Sequence, residues 1–418
     1  MEQAVDFFVA RQPILDRRLK SFAYELLFRS GLDNSYTHTH ADASLATRNV
    51  IASSFLLSGL RTLTGGKKAF VNVTRDILLA GDVTLLPNDQ VVVEVLESVE
   101  ADPRVLHALS QLRKGGYTIA LDDFVCTEAT LALAEHADII KLDFVGSSPE
   151  ERQRIVARFS HLPIRFLAEK VETQDQVQEA LDLGCLYLQG YFFSRPVIVR
   201  GKDIPSSKVH HLRMLQEIQR PDLDFDDLER VLRQDLSIAY KLLRYVNSAS
   251  IGLRRKVDSL PEALRILGEN EIRKLISLIL LTSMTFDHPE QLLQDSVIRA
   301  RLAESVATPI GLPKRRQEIF LLGLFSMLDA IISQPMATVL RELPIPCDLK
   351  DALIARSGPL APILDLVVAY ERGEWERAES CARSLRIGID VVAGFHLEAV
   401  AWAHEGLTEA DGESREVA

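Results

Sequence analysis

Short apolar runs that end in polar side chains recur through the first half of the chain. Seven of them are rich in Val, Ile, Leu and Phe and are short enough to be buried strands: 21–29, 68–74, 91–97, 117–124, 138–144, 164–172 and 186–193. Helical patterns alternate with these runs, most clearly at 148–162 and 173–184. This alternation predicts an α/β fold, and we expect parallel strands that close into a TIM-like barrel.

The pattern changes near residue 205, beyond which almost every segment is typical of an amphipathic or buried helix. Ser259, with a proline two positions later, indicates a capped helix start. We therefore expect two domains in the 418 residues. The barrel would occupy residues 1–203, an all-α helical domain residues 204–400, and a polar C-terminal tail residues 401–418.

Composition and charge narrow the possible function classes. The net charge of −11 argues against broad binding to nucleic acid, so no direct nucleic-acid binding is expected. The N-terminal residues do not show the basic region followed by an apolar stretch that is typical of a signal peptide. The longest apolar stretches are too short to span a bilayer, so no membrane association is expected. The four cysteines form no C-x-x-C pair, which favours reduced thiols and a cytoplasmic protein: Cys126, Cys185, Cys347 and Cys381.

Acidic, amide or lysine side chains lie at the ends of the predicted strands. They are Glu25, Asn72, Glu94, Asp122, Asp123, Lys141, Glu169 and Gln189. A buried strand has no reason to carry a charge unless the charge is paired or holds a metal ion. One carboxylate at a strand end is usually a cap or a surface charge, but eight polar groups at one barrel face predict a site.

The donor set indicates a hard divalent cation, Mg²⁺ or Mn²⁺ rather than zinc. The oxygen ligands would be Glu25, Asn72, Glu94, Asp122 and Glu169. The adjacent Asp122 and Asp123 would serve two ions, and paired ions stabilise the attacking and leaving oxygens of a phosphoryl displacement. Lys141 would hold the attacking water or offset phosphate charge, and Gln189 would orient a ligand carboxylate or the water.

Motifs in a fixed order cover residues 8–200. They are Glu25-Leu-Leu27-Phe-Arg29 after Gln12-Pro13-Ile14, Phe70-Val-Asn72, Glu94-Val-Leu-Glu97, Asp122-Asp123-Phe124, Lys141-Leu-Asp143, Ala168-Glu169-Lys170-Val171-Glu172, and Gln189-Gly190 through Ser194 and Pro196. Together they resemble the EAL domain, the phosphodiesterase barrel that opens cyclic di-GMP.

The resemblance implies a function and a role for each residue. The reaction would be hydrolysis of cyclic di-GMP to linear pGpG with Mg²⁺ or Mn²⁺. The metal ligands would be Glu25, Asn72, Glu94, Asp122 and Glu169, with Asp123 at the second ion. Lys141, Gln189 and Glu169 would serve catalysis, the first two by positioning water, and Glu97 would brace the loop after the Asp pair. Gln12, Leu27 and Arg29 would contact the dinucleotide, Arg29 through a phosphate.

Three segments depart from the EAL pattern. The family's D-D-F-G-T-G-Y-S-S loop reads Val-Cys-Thr-Glu-Ala-Thr at 125–130, Lys170 replaces the glycine of A-E-G-V-E, and the P-x-x-F-I-x-x-A-E segment is absent from 38–60. The resemblance implies that the 125–130 loop supports the second ion and a possible homodimer. An alternative therefore remains, in which an inactive barrel senses cyclic di-GMP or serves as a protein-interaction scaffold.

The second half resembles the HDOD domain, a relative of the HD phosphohydrolases. The shared segments are 242–249, Ser259-Leu260, Ala263-Leu264, Leu267-Gly268 and 323–329. No His-Asp dipeptide occurs in this half, so a metal centre of the HD type is not expected. The resemblance implies a non-catalytic regulatory module that binds an unknown protein partner. Arg244 and Asn247 would either pack and cap helices or face that partner.

Overall fold

The chain divides into two compact units. The computed structural model describes residues 7–30, 59–192, 206–220, 222, 227–228, 232, 236–247, 257, 259–285, 289–341 and 343–411. The first unit, called the barrel unit here, comprises Met1–Phe192 and Tyr370–Glu374. The second, called the helical unit, comprises Phe193–Ala369 and Trp375–Ala418.

Eight strands close the barrel unit in sequence order, as the predicted α/β barrel requires. They are β1 (Phe7–Asp16), β2 (Ser21–Ser30), β3 (Lys68–Val73), β4 (Val91–Val95), β5 (Thr118–Leu121), β6 (Ile139–Asp143), β7 (Arg165–Glu169) and β8 (Tyr187–Gln189). Strands β2 to β8 are parallel, whereas β1 is antiparallel to both of its neighbours.

The seven strands that the hydrophobic pattern predicts are β2 to β8, and they are parallel as expected, whereas the antiparallel β1 is absent from that prediction. Only residues 17–20 separate β1 from β2, which is too short for a parallel crossover, so the two strands form a hairpin. The Asp16 carboxylate holds the turn by accepting the backbone N–H groups of Arg18 and Lys20 at 2.8 and 2.9 Å.

Helices follow strands β2 to β7 of the barrel. They are α1 (Gly59–Thr64), α2 (Arg75–Ala80), α3 (Pro103–Lys114), α4 (Glu128–Ala134), α5 (Pro149–Phe159) and α6 (Gln174–Asp182). The side chains of Asp102, Thr127, Ser148 and Thr173 cap helices α3 to α6. Because a cap satisfies free N–H groups of the first turn, it anchors the loop that leaves each preceding strand.

One apolar layer fills the barrel, with one residue from each strand. The layer consists of Ile14, Ala23, Phe70, Val92, Ala120, Ile139, Leu167 and Tyr187. Phe22 stacks on Tyr187, with the ring centroids 4.1 Å apart. The barrel interior is therefore a packed core rather than a pore.

The described part of the helical unit contains no strand. Its helices are α7 (Ser206–Ile218), α8 (Leu236–Val246), α9 (Leu260–Met284), α10 (Glu290–Ala307), α11 (Arg316–Phe325), α12 (Leu328–Ile332), α13 (Met336–Arg341), α14 (Cys347–Ala355), α15 (Ala361–Glu371), α16 (Trp375–Ser384) and α17 (Ile389–Asp411), and the end of α15 belongs to the barrel unit. Helix α9 is interrupted at Gly268, where φ is 76°. Across the described ranges, no helix has both the length and the apolar character needed to cross a bilayer.

The last helix differs from the sequence prediction of a polar tail from residue 401. Helix α17 continues to Asp411, because Ala399, Val400 and Ala403 are fully buried at helical spacing. Residues 412–418 lie outside the described ranges.

A glycine in helix α11 gives a sharp test of the helical packing. A Cβ at Gly323 would collide with the backbone of Arg299 and Ala300 in helix α10, so Gly323→Ala should lower the free energy of unfolding by about 3 kcal/mol. Gly394 in helix α17 is the matched control, because a Cβ there meets nothing within 4 Å. Gly394→Ala should raise stability by up to about 1 kcal/mol. Urea unfolding followed by circular dichroism measures both; equal shifts would contradict the close helix crossing.

Candidate active site

A polar layer lies next to the apolar layer, at the C-terminal ends of the parallel strands. Residues two apart in a strand share a face. Two positions after each apolar-layer residue of β2 to β8, the chain places a predicted site residue: Glu25, Asn72, Glu94, Asp122, Lys141, Glu169 and Gln189. On antiparallel β1 the direction reverses, and Gln12 precedes Ile14 by two. The structure thus brings these residues together.

Lys141 lies at the centre of this polar layer, with its side chain 2% exposed. Its ammonium lies 2.7 Å from Asp122 Oδ1, 2.8 Å from Glu169 Oε2 and 3.5 Å from Glu25 Oε2, and it also donates to Glu94 Oε1. A lysine has three N–H donors, so four surrounding carboxylates exceed its hydrogen-bonding capacity. The cluster carries an excess of negative charge in a buried place.

The charges of the cluster shift one another's pKa values. Burial alone would lower the pKa of Lys141, but the carboxylates of Glu25, Glu94, Asp122 and Glu169 hold it well above its usual value. Burial raises the pKa of Glu94, and the Glu25 charge adds to that effect. Burial also raises the pKa of Glu169. The positive charge in the cluster is therefore too small to stabilise all of its carboxylates in the ionised form.

Amide side chains orient one edge of the cluster. Gln189 Nε2 donates to Glu25 Oε2 at 2.6 Å and to Gln12 Oε1 at 3.2 Å, and Asn72 Nδ2 donates to Glu25 Oε1 at 3.3 Å. Gln12 Nε2 in turn donates to the hydroxyl of Tyr191 at 2.7 Å. The sequence analysis did not single out Tyr191, because its hydrogen bond with Gln12 joins residues at opposite ends of the barrel sequence.

The residue after Gln189 has to be glycine. Gly190 has a φ of 149°, and a Cβ there would overlap the backbone of Val171. This close approach fixes the end of β8 against the loop after β7.

The donor set fits a divalent cation. Glu94 Oε2 is buried without a hydrogen-bond partner among the described residues, and so is Gln189 Oε1. Asp122, Asp123 and Glu169 each offer a carboxylate oxygen, and these oxygens lie within 4.8 Å of one another. Hard oxygen donors with surplus negative charge suit Mg²⁺ or Mn²⁺ better than a softer metal.

Comparison with known proteins agrees with both units. The family model of the EAL domain matches residues 21–196, and that of the HDOD domain matches residues 204–338. The cyclic di-GMP phosphodiesterase CdgJ of Vibrio cholerae is 33% identical over 402 residues, which cover 95% of this chain and 92% of that protein. The chain belongs to the EAL–HDOD family. The sequence-based assignment to this family is confirmed.

Other members and structures extend the comparison. The uncharacterized protein YuxH of Bacillus subtilis is 31% identical over 405 residues, covering 95% of this chain and 98% of that protein. A solved structure of a standalone EAL protein from Vibrio cholerae, in its c-di-GMP-bound form, is 23% identical. It covers 46% of this chain and 93% of that chain, with a TM-score of 0.37.

A second lysine lies at the outer edge of the EAL site. Lys170 Nζ donates to both carboxylate oxygens of Asp123, at 3.0 and 2.9 Å, and to Asp143 Oδ2 at 2.6 Å. Partial burial lowers the pKa of Lys170, but its hydrogen bonds to Asp143 and Asp123 raise it overall. The sequence marks Lys170 as a departure from the EAL pattern without revealing these contacts.

The altered loop after Asp123 is tied to helix α4. Thr127 and Thr130 form a reciprocal capping box, and Thr130 Oγ1 also donates to the Val125 carbonyl at 2.6 Å. Threonine hydroxyls thus fix this loop although the glycines of the EAL pattern are missing.

The remaining predicted site residues lie apart from the buried cluster or outside the described side chains. Glu97 is exposed after strand β4, and Leu27 is half-buried in strand β2. The backbone of Arg29 belongs to β2, but its side chain lies outside the description, as do residues 31–58, which include most of the segment that departs from the EAL pattern.

In the HDOD unit, Asn247 joins two backbone segments. Its Nδ2 donates to the carbonyls of Leu243 and Val257, both at 2.8 Å, and its Oδ1 accepts from the Val257 N–H at 2.7 Å. This geometry favours a packing and capping role for Asn247. The Arg244 side chain lies outside the description.

Proposed function

We propose that the EAL unit hydrolyses one phosphodiester bond of cyclic di-GMP, giving linear pGpG, in a reaction that depends on Mg²⁺ or Mn²⁺. The observation that carries this proposal is the buried cluster of carboxylates around Lys141 at the C-terminal end of the barrel. Such a cluster destabilises a fold unless cations compensate it. The name and the near-complete alignment of the Vibrio cholerae relative support the same substrate.

The residues of the cluster have separate tasks in this reaction. A divalent ion would be held by Glu25, Asn72, Glu94, Asp122 and Glu169, and the place of a second cation lies at Asp123. A bound divalent ion supplies stabilisation of the negative charge that develops on phosphate oxygens. Lys141 opposes the repulsion among the carboxylates and offsets phosphate charge. Gln189 fixes the Glu25 carboxylate and positions the attacking water.

The ligand-contacting residues are proposals of the same kind. Gln12 lies beside Glu25 in the β1–β2 register, so an amide donor is available at the edge of the site. We propose that Gln12, Leu27 and Arg29 contact the dinucleotide and that Glu97 braces the loop after Asp123.

Product analysis tests this function directly. The full chain is incubated with cyclic di-GMP and Mg²⁺ or Mn²⁺, and nucleotides are separated by chromatography. We expect pGpG to accumulate with either ion and to be absent when EDTA is present. Intact cyclic di-GMP after prolonged incubation would reject the phosphodiesterase.

One observation favours a second function, a barrel that binds cyclic di-GMP without hydrolysing it. The carboxylate of Asp123 is engaged by Lys170 at both oxygens. A calorimetric titration with cyclic di-GMP distinguishes the alternatives, because a sensor binds the dinucleotide and yields no pGpG. A chain that neither binds nor hydrolyses it would be an interaction scaffold.

The helical unit is proposed to be non-catalytic and to bind a protein partner. We propose that the EAL domain occupies residues 1–203 and the HDOD domain begins at 204, close to the boundary of the compact units at residue 193.

The exposed free thiols of Cys126 and Cys347 support a reducing compartment, the cytoplasm. A homodimer of the EAL unit is a further proposal, which sedimentation analysis tests.

A further inference from the structure

Lys170 has a backbone conformation that lysine rarely adopts. Its φ is 56°, in the left-handed region where a Cβ is unfavourable and glycine is not. Within the EAL pattern this position is a glycine. A lysine at this position has a strained backbone, and such strain persists where interactions of the residue offset its energetic cost.

The Lys170 ammonium is held on several sides by carboxylates. Asp123 presents both oxygens to it, and Asp143 presents Oδ2. Asp143 is itself fixed, because its Oδ1 accepts the backbone N–H groups of Val145 and Gly146 at 2.6 and 2.8 Å. Glu169 Oε1 lies 3.4 Å away.

These contacts use the oxygens that a second divalent ion needs. Mg²⁺ binds carboxylate oxygens at about 2.1 Å, so an ion on the Asp123 oxygens would lie against the ammonium. The repulsion between the two cations disfavours their joint presence. The Lys170 side chain is 45% exposed, so solvent reaches the carboxylates, and it is charge rather than access that opposes the ion.

We propose that the Lys170 ammonium takes the place of the second divalent cation at Asp123, so that the centre binds a single ion. Lys170 is then a positioning residue, since it fixes Asp123 and Asp143. The proposal rests on the metal-dependent function proposed above for the same site.

The test is the number of Mn²⁺ ions bound per full-length chain without nucleotide. Titration calorimetry gives the stoichiometry, and electron paramagnetic resonance detects coupling between neighbouring Mn²⁺ ions. We expect one ion in the wild type and in Lys170→Arg. We expect two coupled ions in Lys170→Met, which keeps the side-chain length without the charge, and two in Lys170→Gly.

Arg386 provides the matched control for the relief of left-handed backbone strain by glycine. It has a φ of 57°, is exposed and lies in the helical unit. Arg386→Gly relieves the same backbone strain without touching the carboxylates, so it should bind one ion. If Lys170→Gly fails to fold, Lys170→Met still tests the charge.

The outcomes separate this inference from the proposed function. Two ions in the wild type, or one ion in both Lys170→Met and Lys170→Gly, would overturn the role of Lys170 and leave hydrolysis to the product analysis. No ion in the wild type would overturn this inference and the metal-dependent centre together.

Discussion

Replacing Glu25 with alanine is expected to reduce hydrolysis of cyclic di-GMP by more than about 100-fold, because a direct metal ligand should matter at least as much as the groups that support one. Glu25 joins three parts of the site: it accepts hydrogen bonds from Asn72 and Gln189 and lies 3.5 Å from the Lys141 ammonium. Its loss removes one proposed metal ligand and the shorter of the two hydrogen bonds that hold the Gln189 amide.

The same substitution should leave the fold intact. Four carboxylates surround Lys141, so removal of one relieves repulsion while the remaining three still pair with the ammonium. Initial rates of pGpG formation and thermal unfolding are measured on the same preparation. Glu135→Ala is the control, since Glu135 is an exposed glutamate of the same barrel. Wild-type rates in Glu25→Ala would refute the proposed site.

Replacing Lys141 with methionine is expected to cost about 3–5 kcal/mol of the free energy of unfolding in metal-free buffer, as for other buried charges that lose their partner. Methionine has a similar shape but leaves Glu94 and Asp122 without the Lys141 counter-charge, while Glu169 keeps the Lys170 ammonium at 3.4 Å. The Glu94 side chain is fully buried, so water cannot compensate for the loss. Urea unfolding in EDTA measures the effect.

Two further variants identify charge as the cause. Lys114→Met changes an exposed lysine of helix α3 and should change stability little. The double variant Lys141→Met with Glu94→Gln should recover part of the loss, because one buried negative charge is removed. Added Mn²⁺ should also restore stability if it binds the folded form. Equal stability of Lys141→Met and Lys114→Met in EDTA would show that the cluster is not under electrostatic strain.

The polar layer could be predicted from sequence because strand periodicity and burial act together. In the buried strand that contains Phe70, the polar residue two positions later is Asn72, which lies on the same face of the strand. Because Asn72 is near the C-terminal end of the strand, it lies at the end of the barrel where active sites form. The same logic located Glu94 and Lys141 without knowledge of any contact. Strand order and spacing were therefore sufficient for the centre of the site.

Other features depend on contacts that spacing along the chain does not reveal. Strand β1 contains Arg11, Gln12 and Pro13, and this polar stretch hides an antiparallel strand from a search for apolar runs. Lys170 reaches Asp123 across 47 positions of sequence, which only the folded barrel brings together. The last helix exceeds its predicted end because apolar residues continue to pack beyond position 400.

The antiparallel β1 has a consequence for how the protein is made. It pairs with β2 almost at once during synthesis, but its other neighbour, β8, spans Tyr187–Gln189 and emerges from the ribosome some 170 residues later. Until then, β1 has no partner strand on its β8 side, and the Glu25 carboxylate lacks the hydrogen bond from Gln189. The nascent barrel thus keeps an unpaired edge until its final strand arrives, and a chain that terminates before residue 187 leaves that strand edge exposed.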